Sequence, residues 1–160
     1  MSEGALGDIT RYESRFAVEV RFERWRPEVD RTKWRESETP EQGGGILLDL
    51  GSHLVDQALV LFGPATHVYA EIDARRGLPA EDDVFIALRH ATGTLSHLHA
   101  SAVTPSPGPR LRVQGTTAAF LVPGLDPQED ALRQGSSPDA GESWGKPRNC
   151  ATLKKLSARR

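Results

Sequence analysis

The 160 residues predict an α+β domain in which an antiparallel-rich β-sheet carries one principal amphipathic helix on a face. Three observations predict it: a period-two run near the N-terminus, a helix-periodic run in the middle, and paired strand-like runs beyond it. Tyr12, Ser14, Phe16, Val18, Val20 and Phe22 alternate with Glu13, Arg15, Ala17, Glu19, Arg21 and Glu23. Alternation over that length describes a half-buried strand with one apolar face and one face of interleaved charges.

The elements follow in order. Residues 24–42 have two tryptophans, two prolines and no steady period, and read as a long irregular connection of the kind that is often functional. Gly43, Gly44 and Gly45 interrupt regular structure, and Ile46 to Phe62 reads as a helix ended by Gly63 and Pro64. Strand patterns then cover 65–73, a hairpin of 83–90 with 94–101, and a further pair at 111–114 and 118–122. Asp126 and Pro127 open a short helix through about Gln134 as N-cap and first helical residue. Residues 1–135 are expected to form one domain. Residues 136–160, rich in Gly, Ser and Pro and then basic, are expected to carry little order.

Composition narrows the function. Hydrophobic residues are 38% and charged residues 26%, with a mean hydropathy of -0.45, which describes a globular chain. No apolar run approaches the roughly 20 residues of a membrane-spanning helix, so no membrane partner is expected. Met1 to Gly4 show no secretory pattern, and Cys150 is the sole cysteine, so a cytoplasmic setting is the expectation. The net charge of -2 gives no footprint for nucleic acid. Charge is uneven: Lys146, Arg148, Lys154, Lys155, Arg159 and Arg160 leave -8 on residues 1–145, and the basic end reads as a solvated terminus.

The helix 46–62 holds the candidate chemistry. At about 100° per residue, Asp49, Ser52, His53, Asp56 and Gln57 share one arc. Leu47, Leu50, Leu54, Val55, Ala58, Leu61 and Phe62 take the complementary arc and face the sheet. Asp49 and His53, four apart, meet one turn above each other. A carboxylate beside an imidazole suits a histidine that moves a proton near neutral pH. The same spacing also describes an ordinary ion pair on a solvated face. The glycines before the helix permit close approach of backbone to something. His97 and His99 share a strand face, but no third ligand has metal-site spacing, and His67 and His90 stand alone. No G-x-G-x-x-G, G-x-S-x-G or Walker loop is present.

The run from Gly43 to Gln57, with the pattern G-G-G-x-x-x-D-x-G-x-H-x-x-D, resembles the signature of the glucose–fructose oxidoreductase / inositol dehydrogenase (Gfo/Idh/MocA) family. Leu61, Phe62 and Gly63, the preceding Trp34, Arg35 and Glu36, and the entry Gly4, Gly7, Asp8 and Ile9 extend the similarity from about Leu6 to Gly135. The resemblance covers the C-terminal domain of such enzymes. It implies an open, antiparallel-rich (mixed) sheet with helices on one face and no Rossmann domain in this chain. It further implies an NAD(P)-dependent dehydrogenase or reductase acting on the hydroxyl of a sugar, cyclitol or related metabolite. His53 would be the general acid/base, and Asp49 would orient it and bind substrate. Asp56 would support them, with Trp34 and Arg35 lining the pocket.

The Rossmann domain, with its dinucleotide loop and Glu-Lys-Pro motif, would be the partner that brings NAD or NADP, with no cofactor bound by this chain alone. A fragment or split reading frame, inactive by itself, is the accompanying expectation. In that family the open sheet face commonly mediates homo-oligomers; the alternative function is therefore a non-catalytic sheet domain for oligomerisation or partner binding.

Overall fold

The computed structural model describes residues 4–17, 38–104, 108–124, 128–140, 144 and 152–155. Seven strands form one sheet: β1 (Ile9–Ala17), β2 (Ala65–Asp73), β3 (Asp83–His90), β4 (Leu95–Ser101), β5 (Leu111–Gly115), β6 (Ala118–Val122) and β7 (Thr152–Lys155). Their spatial order is β2-β3-β4-β1-β5-β6-β7. β1 runs parallel to β4 and every other pairing is antiparallel, so the sheet is mixed, as the resemblance implies. Two helices, α1 (Ser52–Phe62) and α2 (Gln128–Arg133), complete the regular structure along with short turns.

Alternation builds the sheet. On β3, Val84, Ile86, Leu88 and His90 are buried, and on β4 so are Ser96, Leu98 and Ala100. β1 adds Tyr12 and Ser14, both fully buried. The helix side of the sheet packs against Leu54 and Ala58 of α1, and the Tyr12 ring lies 5.1 Å from that of Phe62. Burying each of the larger side chains contributes roughly 1.5–3 kcal/mol. His90 closes the far end of this layer. Its Nδ1 bonds the Gly63 carbonyl at 2.8 Å and its Nε2 the Ser96 hydroxyl at 2.8 Å, which ties the end of α1 to the sheet.

Two expectations change, and a third is described only in part. The period-two strand is observed as β1 over Ile9–Ala17, and its continuation through Phe22 falls outside the described residues, as do Trp34, Arg35, Asp126 and Pro127. The helix from Ile46 is not uniform. It opens with a π-helical turn, Leu47–Gly51, in which the Ser52 N–H donates to the Leu47 carbonyl, and becomes α-helical only from Ser52. Finally, the stretch beyond Gly135 is not without order: residues 152–155 join the sheet as β7 beside β6.

Candidate functional site

Gly43, Gly44 and Gly45 lead into the π-helical turn for a local reason. A Cβ on Gly44 would collide with the Glu38 carbonyl, and one on Gly45 would collide with the Glu81 carboxylate. Gly45 also sits at φ +102°, in the left-handed region that side chains disfavour. The close approach that the glycines permit is thus made by the chain itself.

Glu81 then holds the first helical amides. Its Oε1 accepts the Leu47 N–H at 3.0 Å and its carbonyl accepts the Ile46 N–H at 3.1 Å, which occupies two donors that a helix start leaves unpaired. Behind it, Asp82 is 2% exposed. Asp82 accepts the Arg75 N–H at 2.7 Å, the Arg76 N–H at 3.0 Å and the Arg76 Nε–H at 2.8 Å. That bracket folds the β2–β3 connection and delivers Glu81 to the turn. Neither acid stands out in the sequence, where Glu81, Asp82 and Asp83 read only as the entrance to a strand.

The turn and α1 place the candidate residues on the outer side of the helix. His53 and Asp56 are exposed and Asp49 is half-buried. Asp49 lies within the wide turn and His53 four residues on, at the start of the α-helix. Ser52, also exposed, donates its hydroxyl back along the chain to the Leu48 carbonyl at 2.8 Å. The packing arc also needs one correction: Leu61 is 58% exposed. The buried stripe runs Leu54, Ala58, Phe62, and three residues past Ala58 the chain is roughly 60° off it. Leu48, Leu59 and Val60 join Leu61 as exposed apolar side chains, so the polar set is framed by uncovered hydrocarbon.

The opposite, open face of the sheet is charged, as the alternation of β1 implies. Glu13 accepts from Gln114 at 3.1 Å and pairs with Arg15 at 3.4 Å and Arg112 at 3.6 Å. His99 pairs with Asp83 at 3.0 Å, and Arg75 bridges Asp73 at 2.6 Å and Asp83 at 3.4 Å. Arg15, Asp73, Arg75, Asp83 and His99, with Glu71, Phe85 and His97, line a shallow depression of about 250 Å³. Burial, then the nearby Arg11, lowers the His97 pKa below its ordinary range, against a smaller opposing pull from Glu13. His97 and His99 do share a face, yet no three potential ligands are grouped for a metal among the described residues. Nor is any described helix long and apolar enough to cross a membrane.

Comparison with known proteins agrees with this architecture. The family model for the GFO/IDH/MocA C-terminal domain matches residues 1–121. The chain is 39% identical over 145 residues to scyllo-inositol 2-dehydrogenase (NADP(+)) IolW of Bacillus subtilis, covering 91% of this chain and 38% of that protein. It is 34% identical over 145 residues to the oxidoreductase YdgJ of Escherichia coli, covering 91% of this chain and 39% of that one. Among solved structures, the oxidoreductase YvaA of Bacillus subtilis superposes with a TM-score of 0.76 at 33% identity, over 99% of this chain and 42% of its own. The chain therefore spans about two-fifths of the length of these relatives. On fold, signature and similarity, it belongs to the Gfo/Idh/MocA family of oxidoreductases, as their C-terminal domain.

Proposed function

We propose that the chain is the substrate half of an NAD(P)-dependent oxidoreductase that acts on a hydroxyl of a sugar, cyclitol or related metabolite. The observation that carries this reading is the outer face of α1. Asp49, His53 and Asp56 stand there among the exposed Leu48, Leu59, Val60 and Leu61, an arrangement suited to a cleft closed by a second domain. Similarity to a scyllo-inositol dehydrogenase supports the class of substrate.

Membership of the family supports assigning cofactor binding to a Rossmann domain, and the chemistry assigned here is that of the proton. A ring nitrogen of His53 takes the hydroxyl proton as the carbinol carbon is oxidised and returns it in the reverse direction. Asp49 holds the hydroxyl and stabilises the charged imidazole, and Asp56, three residues beyond His53 on the same face, adds negative potential. Trp34 and Arg35 are assigned to the pocket wall on resemblance alone.

The test supplies a Rossmann domain in trans or by fusion, adds nicotinamide cofactor and a panel of polyols, and follows absorbance of the reduced cofactor. Turnover that falls about 10²–10⁴-fold in His53→Ala is expected. No turnover with any polyol would reject the reading. A second function, association of copies through the open sheet face, is favoured by the paired Glu13, Arg15 and Arg112 and the depression beside them. Sedimentation at several salt concentrations checks it, and a monomer throughout removes it.

A further inference from the structure

Arg110 lies just before β5, on the helix-bearing side of the sheet. Its Nη1 donates to the Ser14 hydroxyl at 2.6 Å, and its guanidinium carbon stands 4.5 Å from the centre of the Phe16 ring. Both partners are neutral. No carboxylate pairs with Arg110 among the described residues, whereas Arg15, Arg75, Arg76 and Arg112 each have one. Burial pulls its pKa down, with the nearby Tyr12 phenol opposing. That phenol is itself fully buried, with its hydroxyl unpaired. A half-buried guanidinium offers five donors in a fixed fork and is costly to leave without a counter-ion.

The register fixes where this cation sits. Phe16 pairs with Ala100, Ala100 with Val84, and Ser14 with Leu111. The π-helical turn carrying Asp49 packs on β4, and its first amides are held by Glu81 just ahead of β3. Arg110 and that turn therefore share one face and one end of the sheet. We infer that Arg110 is an anion-recognition residue of the substrate site, reading a carboxylate or phosphate on a polyol whose hydroxyl is presented to Asp49 and His53. This rests on the oxidoreductase reading above and narrows its substrates to acidic ones. The fork of Arg110 matches either anion in bidentate geometry, and Ser14 holds one nitrogen so that the others are aimed.

The experiment titrates the isotope-labelled full chain with D-gluconate, D-glucitol 6-phosphate and the neutral D-glucitol, following the Arg110 Nε–H resonance by NMR. Either anion is expected to shift it saturably and D-glucitol to leave it in place. Arg110→Gln should weaken anion affinity about tenfold or more. Arg110→Lys, which keeps the charge and loses the fork, should retain part of it and serves as the second variant if the glutamine form misfolds. A resonance unmoved by both anions, or moved equally by D-glucitol or by sodium chloride at matched ionic strength, overturns the inference. Failure of the wider reading looks different. Oxidation of D-glucitol as fast as of the anions by the assembled enzyme sinks the preference and leaves the oxidoreductase standing. Anion binding at Arg110 without turnover of any polyol does the reverse.

Discussion

Asp82 shows how one side chain sets the position of others. Three N–H groups converge on a carboxylate that is 2% exposed. Replacing it by alanine leaves those donors without their acceptor, and Asp82→Ala is expected to lose about 3 kcal/mol in urea unfolding. An unchanged midpoint would mean that water replaces the carboxylate fully. His97 sets a pH dependence. Its pKa is lowered from 6.5 in the folded chain, first by burial and then by Arg11. On acidification the unfolded chain therefore takes the proton first. Its contribution to stability is complete above pH 6.5 and is lost as the pH falls through the depressed folded value. Thermal melts of His97→Gln should show a flatter acid limb than the parent. These residue-scale facts were the least legible beforehand, because a carboxylate's partners depend on a loop path that neither spacing nor period encodes.

Among the elements, the turn from Leu47 to Gly51 has the largest effect on the candidate site. Periodicity correctly picks out Leu54, Ala58 and Phe62 as the packed stripe, and the hairpin of β3 and β4 lies within a residue of where alternation puts it. The π-helical widening is invisible to period counting, since one extra residue per turn over five residues leaves the apolar pattern intact. It nevertheless puts Asp49 and His53 in two different helical geometries. Glu81 holds that widened start, so Glu81→Ala should speed exchange of the Leu47 amide, whose side-chain acceptor it removes, while leaving those of β4 protected. Equal acceleration throughout the sheet would show global loss of stability in place of local release.

The pairing of β1 with β4 belongs to the whole molecule. It joins segments some eighty residues apart and in parallel, and no local signal announces a partner so distant. β7 is equally silent, a four-residue exposed strand whose structure comes from the edge it joins. The exposed apolar residues of α1 act at this scale too. Changing Val60 and Leu61 together to lysine should leave the melting temperature nearly unchanged, since both are more than half exposed. The same pair of changes should abolish binding to a Rossmann domain supplied in trans and reduce self-association in sedimentation. Retained binding would place the contact elsewhere.

The two margins of the sheet differ. β7 is short and carries Lys154 and Lys155, features that blunt a border against further strands. β2 is nine residues long, exposed on both sides and bonded only to β3 among the described residues. Growth by backbone pairing is therefore possible in one direction only. Two molecules joined margin to margin at β2 would use up each other's free amides and present lysine-bearing ends outward, so such stacking terminates as a closed pair instead of propagating into a fibre.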